Sequence, residues 1–595
     1  MKRLGIFSFT DRDGIVDDYV IYLLNDISQN LDELCIISKD ELSPESLEKL
    51  RKTTDRDVLF KKDNKFDVES WRDVMTEFYG FEKLLDFDEI VLFNNSFFGP
   101  LYPFETVFSQ MENKNLDFWG ITSHGEMPNV KDLCPYETCP PFIQNYFLVI
   151  GKRMFQTREF EEYWMNLSRF KNQTEVKYKH EAVFTRYFED LGFKWGALVN
   201  CDNMGDIDTS MDFYLFDTCN LVKNKGLPVL DVKSFTKPRK KHLEYNMSLD
   251  LSNTFEYVKS NTDYEVSLIY EHLTRVIDPH RIVENLNLIR IFQKNQQIDF
   301  ETDKKILVIA HLYYEDLLEY DLEYLKNIPD FVDVLITCNT SQKKKFFEEK
   351  IAAELNNSIK VIKVDNRGRD MSALLIGARD IVENYDYFCF IHDKKSSTKE
   401  YVTVGLSFRD ILWENILASE NYIAFIIKEF DDNPNLGLIL PPKVYHGTYF
   451  NGYVNNYWIV NYDNTVKLLE EMGIDTPIER NCPPLSIGNC FWARYDALKP
   501  IFESYWRHGD FPKEPLPGDG TVSHAIERVY GYIAASRGYY SEYVMTEEYA
   551  RAEMTNFNYM ASQTLNVLHK KMNPALFNQA FSGFDNSLRK MRQWR

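Results

Sequence analysis

No apolar run long enough to cross a bilayer occurs anywhere in the 595 residues, which excludes a membrane-spanning helix. Basic residues are too few to offset the acids: 69 Lys and Arg stand against 91 Asp and Glu, a net charge of −22. A nucleic-acid groove needs concentrated Lys and Arg, so the charge argues against that class of function. The excess acid suits a solvated cytoplasmic surface. The nine cysteines are scattered and sit mostly in apolar runs, as at Cys35, Cys338 and Cys389, so they read as reduced core thiols. Cys134 and Cys139 in CPYETC are spaced for a metal or disulfide pair, but no matching second pair follows. The opening MKRLGIFSFTDRDG has only a brief apolar stretch broken by charge, unlike a secretory signal. What the chain has in quantity is core material: 44% hydrophobic and 15% aromatic residues, with 36 Tyr and 43 Phe. That length exceeds one core and predicts about two to four domains.

The most informative stretch runs from Val361 to Ser396, VIKVDNRGRDMSALLIGARDIVENYDYFCFIHDKKS. A β-branched run, a charged turn with Gly368, a segment at helical spacing and a second apolar run predict strand, turn, helix, strand. Polar groups follow each strand at once: Asn366, Arg367, Arg369 and Asp370 after the first, His392, Asp393, Lys394 and Lys395 after the second. In an open parallel sheet the ligand crevice lies beyond the carboxyl ends of the strands, so both clusters are expected to face one pocket. Two arginines and two lysines beside a helix N-terminus suit a diphosphate. Read locally, the same turn is also an ordinary strand-to-helix loop with solvated charges.

The spacing resembles nucleotide-sugar glycosyltransferases of the GT-A type. More narrowly, NRGRD, FIHDKKS, NCFWARYDAL and DGTVSHAIER, in that order, resemble the rhamnan synthesis F family over nearly the whole chain. The resemblance implies a cytoplasmic, inverting rhamnosyltransferase on the inner face of the plasma membrane. It would use dTDP-L-rhamnose to extend a cell-wall or capsular polysaccharide on a polyprenyl-diphosphate carrier. GT-A enzymes usually hold Mg2+ or Mn2+ with two carboxylates at the second strand end. Here Asp393 is the single carboxylate, so a metal in the second domain and direct neutralisation by Lys394 and Lys395 both stand open.

The order of elements in the second half repeats the first. LGIFSF parallels ILVIAHLYY, the KDNKFD turn parallels NRGRD, and VLFNNSFFG parallels FCFIHDKKS. The expected fold class is therefore α/β, with two tandem GT-A-like, Rossmann-like domains of mostly parallel sheet, 1–235 and 301–550. A helical spacer, 236–300, poor in Gly and Ser, joins them. A tail, 551–595, carries seven basic groups against two acidic ones, a composition for an anionic lipid surface or for a solvated helix.

Sugar transfer needs a base for the acceptor hydroxyl. Asp519, opening a helix after a Gly-Pro-rich loop, is the first candidate and Glu527 the second; Asp519 equally suits a helix cap. His524 and Arg528 share that helix face and are candidate acceptor contacts. Trp492 and Arg494 are placed near the acceptor, Trp492 as a sugar platform or as core. In the first domain the strand end reads Asn94, Asn95, Ser96, with no acid to hold a divalent ion. Asp13, Asp67 and Asn94 to Ser96 are its donor candidates and Glu181 its base. Two catalytic domains would make two linkages, such as α-1,2 and α-1,3. The alternatives are another sugar, or a first domain that only binds the polysaccharide.

Overall fold

Two large sheets carry the chain, one in each half. The computed structural model describes residues 1–129, 132–201, 217–239, 242–243, 248–395, 402–445, 457–513 and 515–574. The chain divides into two compact units, Met1–Lys237 with Lys241–Ile269, and Pro238–Lys240 with Tyr270–Arg595.

The strands of the first unit are β1 (Arg3–Phe9), β2 (Glu33–Ser38), β3 (Leu59–Phe60), β4 (Glu89–Asn94), β5 (Phe97–Phe98), β6 (Phe118–His124), β7 (Met127–Pro128), β8 (Thr138–Cys139), β9 (Phe142–Ile143), β10 (Phe147–Gly151), β11 (Trp195–Val199) and β12 (Leu230–Asp231). Its main sheet runs β11-β6-β10-β4-β1-β2-β3, with β10 antiparallel to its neighbours and the other pairings of that path parallel. Central strands such as RLGIFSF are buried along their whole length, as a sheet covered by helices on both faces requires. Trp71, Trp164, Phe118 and Phe188 fill one side of that core.

The second unit holds β13 (Ile289–Phe292), β14 (Ile306–His311), β15 (Asp333–Cys338), β16 (Ile359–Lys363), β17 (Tyr387–His392), β18 (Leu436–Leu440), β19 (Phe491–Arg494) and β20 (Tyr540–Thr546). Its order is β13-β20-β18-β19-β17-β14-β15-β16, with β19 the antiparallel member. Apart from the added edge strand β13, this is the order of the first sheet, strand for strand. The repeat expected from the sequence is thus a repeat of topology.

Residues 236–300 do not form a separate layer. Helix Asp250–Asn261 belongs to the first unit, helix Pro279–Leu286 to the second, and β13 pairs with β20 in the second sheet. Cys134 and Cys139 are free thiols, buried with Met127, Phe142 and Tyr178 in a small satellite core. Helix Glu547–Lys571 starts from Thr546, whose hydroxyl accepts the Tyr549 amide at 3.2 Å. Of the tail's basic groups, Arg589, Lys590, Arg592 and Arg595 lie outside the described residues. Among the described residues no helix is long and apolar enough to cross a membrane.

Candidate functional site

At the edge of the second sheet, β14 and β17 end side by side on His311 and His392, which are paired in register. His311 is buried against the Thr337 hydroxyl, 2.9 Å from its Nδ1, and burial pulls its pKa down to about 4. It is therefore neutral at physiological pH. β16 ends nearby and leads into the NRGRD turn. Gly368 and Arg369 there have φ of +98° and +50°, two successive left-handed residues that swing the chain into helix Arg369–Ser372. A non-glycine residue in that region is strained, and such strain gathers at ligand sites.

The turn does not present all its charges to one side. Arg367 turns back, donating Nε to Phe511 O at 2.8 Å and Nη2 to Gly509 O at 3.0 Å. It clamps the 508–511 loop and does not line the cleft. Asp370 points inward, accepts from Asn489 Nδ2 at 2.7 Å and lies 3.8 Å from His392 Nε2. Burial alone would raise its pKa, but His392 and the Asn489 bond outweigh it and hold Asp370 below the ordinary carboxylate range. Asn489 is itself left-handed, at φ +49°, and its Oδ1 accepts from the buried Tyr530 hydroxyl at 2.9 Å.

These elements enclose a cleft of about 710 Å³. It gathers Asn366, Gly368, Arg369, Asp370, His392, Asp393, Lys394, Lys395, His524 and Glu527 from the sequence candidates. Lys394 lies over the Phe408 ring at 3.6 Å, and Lys395 pairs with Asp316. Glu527 projects from helix Val522–Ser536, and its Oε1 accepts the Gly488 amide. Its Oε2 is 3.6 Å from Arg528 Nη1.

Other candidates fall elsewhere. Asp519 does not line the cleft: its Oδ1 accepts from Asn461 Nδ2 at 2.6 Å and from the Gly520 amide at 2.9 Å. Nor does it cap the helix, since the N-cap is Thr521. Arg528 is 5% exposed and faces away, donating to the carbonyls of His524 and Tyr457. Trp492 is fully buried with Nε1 on Ile416 O at 3.0 Å, so it has no face for a sugar. Arg494 sits at the opposite edge because β19 runs antiparallel: it pairs with Tyr387, the first residue of β17, and donates to the carbonyls of Leu436 and Phe430. Truncating Trp492 to Ala is expected to cost about 3–5 kcal/mol in a denaturant titration and to leave nucleotide affinity unchanged.

Sequence reasoning put the Gly488–Arg494 stretch near the acceptor without singling out Asn489, and it missed Tyr314 and Ser523 as cleft residues. The Gly488-Asn489 pair before a strand was the available signal for the first. The other two come together only through the tertiary fold.

Asp393 has a positional duty that limits its chemistry. Its Oδ2 accepts the amides of Tyr313 at 2.8 Å and Tyr314 at 2.7 Å, tying β17 to the loop after β14. Its Oδ1 is buried without a hydrogen-bond partner, and burial lifts the pKa to about 6 against the two amide bonds. Among the described residues no three His, Cys, Asp or Glu side chains cluster to hold a metal ion. With Oδ2 committed to two amides, Asp393 has one oxygen left for a cation and shares the cleft with Lys394 and Lys395, a donor set that does not fit a resident divalent ion.

A raised carboxyl pKa favours the fold while the group is protonated. That contribution is full below the ordinary pKa of 3.8 and is lost as pH rises through about 6. Asp393→Asn keeps an acceptor for both amides and removes the titration. Its melting temperature is expected to exceed wild type at pH 8, with the advantage vanishing near pH 4, as a thermal scan in buffers of constant ionic strength would read.

The first unit supplies an internal comparison. Ser8 pairs with Asn94 where His311 pairs with His392, and Leu148 pairs with Leu92 where Phe491 pairs with Phe390. This register sets Asn95 opposite Asp393. The two act alike, since Asn95 Oδ1 accepts the Thr10 amide at 3.1 Å. Ser96 then stands opposite Lys394 and Phe97 opposite Lys395, and an equal count onward from Phe60 and Lys363, which pair with Ser38 and Cys338, sets Phe66 opposite Arg369 and Asp67 opposite Asp370. The positions of Arg369, Lys394 and Lys395 thus carry no cation in the first unit, and Phe97 is buried in the β5–β12 ladder. Asp67 accepts from Ser8 at 2.8 Å, Asn94 at 2.9 Å and the buried Lys39 at 2.7 Å. Burial raises its pKa, but Lys39 and these bonds bring it below the ordinary range.

Among the described residues the remaining first-unit candidates do not converge on one cavity. Asp13 pairs with Arg12 at 3.0 Å in an exposed loop, and Asn94 Oδ1 is taken by Ser96. Glu181 ends the π-helical turn Lys177–Glu181 beside the buried His180. It lines neither the groove beside β11 nor the small cavity at Ser96.

A family model described as "Rhamnan synthesis protein F" matches residues 34–539. The chain is 27% identical over 233 residues to the uncharacterized protein WxcX of Xanthomonas campestris pv. campestris strain B100, a match covering 39% of this chain and 32% of that protein. The chain therefore spans about a third of the length of the curated relatives it matches. Among solved structures it is similar to the mannosyltransferase PcManGT from Pyrobaculum calidifontis in complex with GDP-Man and Mn2+, at 12% identity and TM-score 0.23, covering 51% of this chain and 68% of that one. It is also similar to the glycosyltransferase GlyE of Streptococcus pneumoniae TIGR4, at 11% identity and TM-score 0.22, covering 68% of this chain and 89% of that one.

Proposed function

Since the chain belongs to the rhamnan synthesis protein F family, whose chemistry is glycosyl transfer, we propose that the second-unit cleft transfers rhamnose from dTDP-L-rhamnose to a polyprenyl-diphosphate-linked saccharide. The observation that carries this reading is the meeting, in one cleft, of a carboxylate from helix Val522–Ser536 with cations that follow the ends of β16 and β17.

The diphosphate lies against Arg369, Lys394, Lys395 and the start of helix Arg369–Ser372. These charges offset the negative charge that grows as the bond from sugar C1 to the β-phosphate oxygen breaks. Glu527 takes the proton of the acceptor hydroxyl as its oxygen attacks C1 from the opposite face, and dTDP leaves. One base and no covalent intermediate make the reaction inverting. The Gly488 amide fixes Oε1, and the proton goes to Oε2, which lies 3.6 Å from Arg528 Nη1. Transfer of labelled sugar from dTDP-L-rhamnose to a short lipid-linked rhamnoside tests the reading, and transfer from another nucleotide sugar alone would replace the donor.

Cations from the protein take the place of a resident metal in this scheme. Transfer is expected to persist in EDTA at more than half its rate, and a complete EDTA block restored by Mg2+ would overturn that part.

The second reading, a transferase in each unit making α-1,2 and α-1,3 bonds, is disfavoured by the loss of the phosphate cations and by the closed Asp67–Lys39 network in the first unit. It predicts two dTDP sites per chain in a calorimetric titration, where the single-site reading predicts one. A cytoplasmic chain resting on the inner membrane face, with its basic C-terminal segment toward anionic lipid, suits a lipid-linked acceptor.

A further inference from the structure

The first unit carries a second groove, away from its strand-end polar network. It has a volume of about 570 Å³ and runs beside β11, the edge strand of the first sheet, between Gly192 and Asn200. Phe193 and Trp195 are both half-buried along it, packed against the core of the unit, with Glu189, Lys194 and Asn200 as polar neighbours. Trp195 Nε1 donates to Glu189 Oε1 at 3.1 Å, which fixes the indole plane, and Arg153 covers Phe193 at 5.3 Å.

We propose that this groove holds a stretch of uncharged saccharide chain by stacking sugar rings on Trp195, with hydroxyls bonded to Glu189, Lys194 and Asn200. The inference rests on the reading of the protein as a polysaccharide-extending transferase and gives the first unit its role. An oriented indole flanked by a carboxylate, an ammonium and an amide matches a sugar's apolar C–H face and its rim of hydroxyls. The mixed charges at the groove do not favour an anion. A nucleotide is further disfavoured in this unit because Phe66, Ser96 and Phe97 stand where the second unit has Arg369, Lys394 and Lys395. A peptide adding to β11, which pairs only with β6 among the described residues, is the other occupant. Lys114 Nζ already donates to the Ala197 carbonyl at 3.2 Å, and an edge lysine is a common guard against strand addition.

The test is calorimetric titration of the full-length chain with a synthetic, phosphate-free rhamnose tetrasaccharide, in the presence of dTDP, for wild type, Trp195→Ala, Trp195→Phe and Glu527→Gln. Trp195→Ala is expected to bind about tenfold more weakly, the size of one good stacking contact, and Trp195→Phe to recover most of the affinity. Glu527→Gln keeps the groove's binding. In polymer synthesis Trp195→Ala then gives shorter chains of unchanged linkage. If Trp195→Ala, folded by its melting curve, binds as wild type, or if only cleft variants weaken binding, the groove is not a saccharide site. If Trp195→Ala melts early, Trp195→Phe against Trp195→Leu decides by the same criterion. Failure of the transferase reading looks different: wild type then transfers no sugar to any acceptor, whatever the tetrasaccharide does.

Discussion

Glu527→Gln lowers kcat for sugar transfer by about 10³-fold, within the range that a positioned general base supplies. The substitution is chosen to change one property. Glutamine has the same shape, and its Oε1 can still accept the Gly488 amide that orients the side chain. What it loses is the capacity to take the acceptor proton. The affinity for dTDP, which depends on Arg369, Lys394 and Lys395, should stay within about twofold because no phosphate contact is removed. Asp519→Asn is the paired control. Asp519 binds Asn461 and the Gly520 amide and touches the cleft only through His524, 4.0 Å away, so its variant should keep most of the rate. A larger loss in Asp519→Asn than in Glu527→Gln, with both proteins folded, would move the base back to the loop and sink the assignment.

That pair of carboxylates also shows what the sequence could and could not disclose. Strand ends are legible because β-branched and aromatic runs stop at polar residues. His392, Asp393, Asn366, Gly368, Arg369 and Asp370 are accordingly found where strand-end reasoning puts them, at one cleft. The repeat is legible for the same reason, down to the shared strand order. Orientation is not legible. NRGRD reads as one charged patch, yet two left-handed residues turn Arg367 back onto Phe511 and Asp370 inward to Asn489. The direction of β19 was equally hidden. An antiparallel strand carries Arg494 to the far edge, while a parallel one would have carried it to the cleft. Trp492 follows from the alternation of faces along that strand and packs in the core. In the first unit, Asp67 looked like a donor ligand because the sequence does not show Lys39 folding onto it from the neighbouring strand.

Gly368→Ala is expected to weaken dTDP binding by more than about tenfold while the sheet still folds, and the reason is steric before it is chemical. A Cβ at this position would lie 2.7 Å from Cγ and 2.9 Å from Cδ2 of Phe511, and 2.9 Å from Cβ of Ser372. Neither neighbour yields easily. Phe511 is 1% exposed and its carbonyl is held by Arg367, while Ser372 is fully buried in the helix that the turn starts. The backbone also sits at φ +98°, which an L side chain rarely adopts, so conformational strain adds to the clash. The turn must then move, and Arg369 and Asp370 move with it. Loss of binding therefore comes from misplaced phosphate contacts and a disturbed Asp370–Asn489 bond. Gly473→Ala separates this from generic glycine strain: its φ is +70° and nothing lies within 4 Å of the added Cβ. That control should lose about 1 kcal/mol of stability and none of its affinity. Equal dTDP affinity in the two variants, measured by calorimetry on folded protein, would mean that the NRGRD turn is not part of the donor site.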